Sequence, residues 1–369
     1  MPNWLDGERI DVLRAQCVNP TNYGHVGWLT VVDASITEAY YSDTRIQGTV
    51  TALDAADYVP LSMIRLIHEA RFTNGETYRA TLGTFFAIRS KDTWKSGAQV
   101  TEFELKSVLY GMVNDICPLD YTIGKGAMAQ NVFNSICADC ARPRLWVSGA
   151  NDKRFDKNVV LEAGDSHLSW LHQLADMSGN RIDCDELGRV TMSKYTSPHN
   201  ITPMMKLPFN SPLVLASGIS RESNEMEIPS RAIVTWEHSY ETKVRSGTNS
   251  DGTPRYTTKT ERKTITEFAD VAAGNAAALG RRGFRVASWH SMDDVGDSKS
   301  TAQQYARQFL AEESLPTTTW SVTTRWFELH EGDVINWKPS ESADYRKVLV
   351  QNIDKNLLNY TMSLTLKEV

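Results

Sequence analysis

Two short stretches carry the residue types that could do covalent chemistry. In Gly164-Asp165-Ser166-His167, Ser166 could be a nucleophile with a histidine beside it. In Gly149-Ala150-Asn151-Asp152, Asn151 could donate to a developing oxyanion. Together they would make ester hydrolysis. The same residues have a second use. Asp165 or Ser166 can accept from the orphan backbone N–H groups of a helix's first turn, and Leu168, Leu171, Leu174 and Ala175 follow at helical spacing.

The two blocks resemble the Gly-Asp-Ser and Gly-x-Asn-Asp blocks of a family of esterases, but their order is reversed. No Asp-x-x-His stands near the C-terminus to complete a triad, and the alternating helix–strand pattern such a fold needs is absent. Helix capping accounts for Asp165 and Ser166 without an enzyme. An esterase or cell-wall hydrolase built on Ser166 and Asn151 is therefore kept as an alternative, and no residue is assigned as catalytic.

The remaining candidates are weaker. Asp183-Cys184-Asp185-Glu186-Leu187-Gly188 begins like a calcium loop, then places Leu187 and Lys194 where ligands belong. Cys137 and Cys140 form a lone pair with no second pair and no metal-spaced histidine. On a helix both fall on or beside the apolar face and read as small buried hydrophobes. His167 and His172, five apart, lie on different helix faces, and Gly124-Lys125-Gly126 lacks the spacing of a phosphate loop. No metal or cofactor is expected.

The chain that must position these residues has 369 residues, enough for two or three domains, and 41% of them are hydrophobic, enough to fill their cores. A net charge of −6 argues against a surface built to hold nucleic acid. There is no apolar run of about 18 residues, so no membrane span is expected, and Met1 to Asp6 lacks the features of a signal peptide. Five cysteines, an odd and sparse count, fit folding in a reducing cytoplasm.

Residues 1–115 read mostly as strands. Val26–Val32 is an apolar run, Ile46, Val50 and Ala52 alternate with polar neighbours, and Asn74-Gly75 joins Met63–Phe72 to a return strand carrying Tyr78, Ala80, Leu82, Phe85 and Phe86. A barrel or sandwich of about six strands satisfies this pattern. Residues 116–200 are mixed: a helix through Met128, Val132, Ile136 and Cys140 ending at Arg142-Pro143, then the helix begun by Asp165-Ser166 and ended by Gly179-Asn180. After it, Ile182 and Cys184, then Val190 and Met192, alternate as a hairpin about Leu187-Gly188. Residues 201–369 return to β. Pro203, Pro208 and Pro212 predict a stiff linker, Ala232–Trp236 a short strand, 242–264 a polar projecting hairpin and 298–315 a helix. Trp320 to Trp326, Val334 to Trp337, Val348 to Val350 and Tyr360 to Leu366 then alternate.

Four of these pieces, in this order, resemble the baseplate or tail-tip hub proteins of phage tails. They are the strands Val26–Ala52 with Arg45-Ile46-Gln47-Gly48-Thr49; the hairpin Arg71–Phe86 with Leu82-Gly83-Thr84-Phe85; the helix followed by Gly179-Asn180-Arg181-Ile182, Asp185 and Gly188-Arg189-Val190; and the helix 298–315 followed by Trp320, Leu329, Gly332-Asp333-Val334 and Val348–Gln351. The insert 242–264 matches nothing in that pattern.

The resemblance implies an α+β, mainly β chain with two tail-tube-like barrels, in 1–115 and 201–369, joined by a small α+β domain in 116–200. It implies a homotrimeric ring with no enzymatic activity. Such a ring adapts the hexameric tail tube to a threefold spike or fibre, and DNA slides through it as passing cargo. The implied partners are a distal tail or tail tube protein above, a spike or fibre protein below, and a tape measure protein. The implied location is the virion tail, assembled in the bacterial host cytoplasm. A glycan-binding module on Trp320 and Trp326 is a third reading, set below the others because alternating inward tryptophans belong to cores.

Overall fold

The computed structural model describes residues 9–369 except 54, 56, 57, 59–61, 96, 141–145, 156, 157, 224, 225, 249–252, 276, 293–297 and 315–317. Its first strands are β1 (Arg9–Val18), β2 (His25–Ala39), β3 (Ile46–Leu53), β4 (Met63–Phe72), β5 (Thr77–Lys95) and β6 (Ala98–Lys106). Then come α1 (Leu109–Asn114), β7 (Tyr121–Ile123), α2 (Ala129–Cys140), β8 (Trp146–Gly149), β9 (Val159–Leu161), α3 (His167–Ser178), β10 (Asn180–Cys184) and β11 (Val190–Lys194). The rest is β12 (Lys206–Pro208), β13 (Val214–Ser223), β14 (Arg231–Thr248), β15 (Pro254–Asp270), α4 (Leu279–Arg282), β16 (Ala287–Ser291), α5 (Lys299–Glu313), β17 (Thr318–Arg325), β18 (Val334–Lys338), β19 (Arg346–Asn356) and β20 (Thr361–Glu368). The fold is mainly β, as expected.

The chain divides into two compact units, one of residues 1–220 with 320–369 and one of 221–319. In the first, strand pairing runs β1-β4-β5-β6-β3-β2, and β2 also pairs with β1. The order therefore closes into a ring of six strands, the number read from the sequence for this stretch. Closure covers the edges of β1 and β2 where they pair, but not along Ser35–Ala39 of β2, which lies beyond the stretch paired with β1. The inward residues alternate as the pleat requires: Ala15 and Cys17, Val50 and Ala52, Phe103 and Leu105 are all fully buried. Outward residues include Trp28 and Val32 of β2, so that apolar run serves two faces.

The C-terminal strands belong to the same sheet. Asn352–Asn356 of β19 pair with Ala39–Ser35 of β2, and the order continues β19-β20-β17-β13, with β18 and β12 on the other side of β19. The two β regions expected as separate domains are thus hydrogen-bonded to each other. The proline-bearing stretch expected as a linker contributes β12, which pairs in parallel with Asn336–Lys338 of β18. Pro208 is tolerated because it is the last residue of a short edge strand.

The small helical part follows its sequence signals. Ser166 is the N-cap of α3, its hydroxyl accepting from Ser169 N at 3.1 Å. Gly179 ends α3 in the left-handed conformation at φ 68°. The hairpin β10–β11 pairs Ile182 with Met192 and Cys184 with Val190, and β8 adds in parallel. The expected end of α2 at Arg142-Pro143 lies outside the described residues.

In the second unit, β14 pairs along its length with β15 and through Arg231–Thr235 with β16. Helix α5, capped by Ser298, covers the end nearest β16. Ala232, Val234, Trp236 and Ile265 pack there with Ala302, Ala306 and Leu310. The sequence suggested a short strand at 232–236 and a separate hairpin at 242–264. With the hairpin's second limb in β15, the structure joins the short strand to the first limb as one 18-residue strand. Only its first part alternates with apolar residues, because only that part is covered by the helix. The turn that Asp251-Gly252 predicts for the hairpin lies outside the described residues.

Candidate functional site

The chemically richest place in the first unit is a junction of β2, the β10–β11 hairpin, β19 and the segment Trp326–Asp333. Glu38 on β2 and Lys355 on β19 are both almost wholly buried, at 1% and 2% exposure. Antiparallel pairing of β2 with β19 brings them together, and the Lys355 ammonium donates to Glu38 Oε1. Glu38 Oε2 accepts from Glu331 N at 3.2 Å and lies 3.7 Å from His330 Nδ1. Burial alone would raise the Glu38 pKa, but Lys355 and His330 outweigh it and bring the carboxyl down to about 2. For His330 burial pulls downward, but the hydrogen bond to Glu38 raises its pKa above the ordinary value.

The next residue begins a second set. Glu331 accepts from Arg181 Nη2 at 3.0 and 2.9 Å, and the same guanidinium lies 2.8 Å from Asp183. Arg181 also sits 4.1 Å above the ring of Tyr40. Burial and the neighbouring Asp183 raise the Glu331 pKa, against the pull of Arg181. Gly332 follows at φ +86°, and a Cβ there would stand 3.1 Å from both Arg181 Nη1 and the Tyr40 ring. The turn needs glycine for its conformation and for the room it leaves the guanidinium.

The hairpin's turn docks on the six-stranded ring. Thr84 Oγ1 donates to Glu186 O at 2.9 Å, and Tyr23 Oη donates to Gly188 O at 2.7 Å. Gly188, at φ +78°, would place a Cβ 3.2 Å from Thr84. Arg45 donates to Ile182 O at 3.4 Å. One β strand down, Gly83 leaves the space that the Phe85 ring fills, since a Cβ there would lie 2.3 Å from that ring. Gly48 lets β3 approach β2, where a Cβ would meet Ser35 O at 2.3 Å. Arg45 and Gly48, Gly83 and Thr84, Arg181 and Gly188, and Glu331 and Gly332 come from the four sequence pieces in turn. The first, second and fourth meet on the third, the β10–β11 hairpin. A cleft of about 300 Å³ opens beside it, lined among others by Tyr78, Glu186, Trp326, Glu328, His330 and Lys355.

Of the residues weighed for chemistry, Asp183, Glu186 and Trp326 fall at this junction and the others lie elsewhere. The Ser166 hydroxyl is engaged as a cap. Asn151 is held by Asn180, whose amide accepts from Asn151 N at 2.8 Å and donates to Asn151 O at 3.0 Å. His167 contacts Asp115 at 3.2 Å. Asp185 accepts from Arg189 N at 2.8 Å and closes the β-turn that the calcium-like motif occupies. Cys137 is fully buried and the Cys140 thiol donates to Ile136 O, while burial pushes Cys140 up to about 12. Trp320 and Trp326 are both buried, Trp320 donating to Glu368 at 2.9 Å and Trp326 packed against the His68 ring with centroids 4.0 Å apart and planes tilted by 54°. The Glu38–Lys355 pair was missed by sequence reasoning, since 317 residues separate its members. Each stands at an inward position of an alternating strand, which marks the pair only once β2 is known to lie beside β19.

No family model matches the chain, and no curated protein does. Solved structures do. The tail protein from Neisseria meningitidis MC58 aligns with a TM-score of 0.64 at 10% identity, over 96% of both chains. The 43 kDa tail protein of prophage MuSo2 from Shewanella oneidensis aligns with a TM-score of 0.60 at 11% identity, over 96% of this chain and 97% of that one. The lidded PdpA-VgrG complex of Francisella aligns with a TM-score of 0.53 at 10% identity, over 99% of this chain and 53% of that one. At such identities the likeness is one of fold. This chain has the fold of phage tail proteins, the group its four sequence pieces resemble.

Proposed function

We propose that the chain is a structural hub at the tip of a phage-type tail. It acts as a homotrimer, each chain contributing two tube-like barrels, so that six surround a channel through which DNA passes. One barrel is the closed ring β1-β4-β5-β6-β3-β2, and the other is formed by the strands around β17–β20. The small α+β part, 116–200, braces them, with the Arg181–Glu331 and Glu38–Lys355 pairs locking brace and strands at a fixed angle. The ring would adapt a hexameric tail tube to a threefold spike or fibre. Its neighbours would be a distal tail or tube protein, the spike or fibre, and the tape measure protein, in a virion tail put together in the host cytoplasm.

The observation that carries this reading is full-length agreement of fold: both tail proteins align over nearly their whole length as well as over nearly all of this chain. A buried network of paired charges, Glu38 with Lys355 and Arg181 with Glu331, supports a mechanical role. Native mass spectrometry with negative-stain imaging tests it. A ring of about 124 kDa, three times 41.4 kDa, with a central hole is the expected result. A chain that stays monomeric with its tube and spike neighbours present would overturn the hub.

A further inference from the structure

His330 stands between two carboxylates that belong to different elements. Its Nδ1 lies 3.7 Å from Glu38 Oε2 on β2, and its Nε2 lies 3.9 Å from Glu186 Oε1 at the tip of the β10–β11 hairpin. Two more charged groups face the ring. Lys355 of β19 donates to Glu38 Oε1, and Asp333 Oδ2, in His330's own turn, accepts from His330 N at 2.8 Å. Tyr78, Arg79 and Glu328 line the same cleft. Glu38 is already matched by Lys355. Among the described residues, His330 is the one cation within 4 Å of Glu186.

The hairpin tip is tied to itself. Asp185 N donates to Arg189 O at 3.0 Å, Gly188 N to Asp185 O at 2.9 Å and Arg189 N to Asp185 Oδ1 at 2.8 Å. Its ties to the ring of strands are fewer: the hydrogen bonds of Thr84 to Glu186 O and of Tyr23 to Gly188 O, both uncharged. Residues 185–189 can therefore tilt as one piece, while Arg181–Glu331 and the pairing with β8 hold the root of the hairpin. The cleft of about 300 Å³ lies at this contact, lined by the tip's Glu186 and Leu187 together with Tyr78, Trp326 and His330.

An imidazolium carries an N–H on each ring nitrogen and can serve Glu38 and Glu186 together, whereas neutral imidazole has a single N–H. The Glu38 side chain is 1% exposed and that of Glu186 44%, so the one N–H stays with the buried carboxylate. Nε2 then turns a lone pair toward Glu186, and attraction at the tip becomes repulsion. We propose that His330 is a proton-operated latch: charged, it holds the Asp185–Arg189 tip closed on the cleft, and neutral, it releases the tip so that the cleft opens. Burial pulls the His330 pKa down, but the hydrogen bond to Glu38 brings it above 6.5. The latch is therefore closed below pH 6.5 and released as pH rises through the folded value. It lies within one chain and does not depend on the oligomer proposed above.

Pulsed electron–electron resonance on the full chain tests it, with nitroxide labels at Leu187→Cys on the tip and Arg79→Cys on the β5 wall of the cleft. Cys140→Ala removes the one native thiol that is not buried. Between about pH 5.5 and 8.5 a short distance should give way to a longer one, the closed-to-open ratio falling about fivefold. Glu186→Gln should keep the short distance at every pH, because its amide can donate to neutral Nε2. His330→Gln, uncharged throughout, should show the longer distance already at low pH. A wild-type distance that does not change with pH would overturn the latch. So would a lengthening that persists in Glu186→Gln.

Discussion

Arg181 donates to both carboxylate oxygens of Glu331 across 150 residues of sequence, and Gly332 leaves the space its guanidinium occupies. The pair ties the small hairpin to the C-terminal strands. Its members are only slightly exposed, at 19% and 7% of their side chains. Removing one partner of such a pair costs more than the pair contributes, because the other charge stays behind. Glu331→Ala should lower unfolding stability by about 2–3 kcal/mol, read from the urea midpoint. A double cycle with Arg181→Met should show strong coupling. A loss under about 0.5 kcal/mol would mean the pair is solvated and the hairpin held by Thr84 and Tyr23 alone.

Lys355→Met should be among the most damaging single changes, at about 3–5 kcal/mol, since it strands the buried Glu38 carboxylate. Lys355→Met with Glu38→Leu should recover most of the loss.

The same junction makes stability depend on pH. The Glu38 carboxyl is held at about 2, below its ordinary 4.5, so its contribution is complete above pH 4.5 and disappears as pH falls from there toward 2. His330 is raised above 6.5, so its contribution is complete below pH 6.5 and disappears as pH rises through the folded value. Glu331 and Asp333 are raised by burial and oppose Glu38 on the acid side. Urea midpoints measured across pH should therefore decline above pH 6.5 in the wild type, and His330→Gln should remove that decline. A variant curve parallel to wild type would exclude His330 as its source.

Three glycines should rank by what a Cβ would meet. Gly48→Ala drives a methyl into Ser35 O on a neighbouring strand, and backbone in a closed ring yields little. Gly83→Ala displaces the buried Phe85 ring. Gly75→Ala meets nothing but sits at φ +88°. Losses should fall in that order, the last at about 1 kcal/mol of backbone strain. Thermal unfolding of the three variants gives the order directly, and a Gly48 variant as stable as wild type would show that β2 and β3 can part.

Ser166→Ala should cost about 1 kcal/mol through loss of the α3 cap. With p-nitrophenyl acetate the wild type and variant should hydrolyse at the same background rate. A rate abolished in the variant would revive the esterase reading.

Local elements were legible because their signals are local. Asp165-Ser166 and Gly179-Asn180 bracket α3, Asn74-Gly75 turns β4 into β5, and alternation marks β17 to β20. The pairing of β2 with β19 was not legible, since period-2 alternation shows which face of a strand is buried and not which strand lies beside it. The continuity of β14 was lost for a related reason: its pattern changes where α5 ends, not where the strand does. At the junction, the glycines of the four sequence pieces pointed to the right places, while Glu38, Lys355 and Arg181 carried no mark as partners. Charged residues at inward positions become a signal only once strand order is known.

The sharing of β2 has a consequence for synthesis. Six consecutive N-terminal strands can close their ring as soon as they leave the ribosome. Residues Ser35 to Ala39 of β2 then wait with free backbone groups for Asn352 to Asn356, and Glu38 waits for Lys355. About three hundred residues, including the whole 221–319 unit, must be translated first. Until then a nascent chain displays a naked strand edge with a buried-type carboxylate on it, so crowded ribosomes on one message risk pairing one chain's β2 with another's β19. A truncated chain ending before β19 should be the form that chaperones hold and proteases remove.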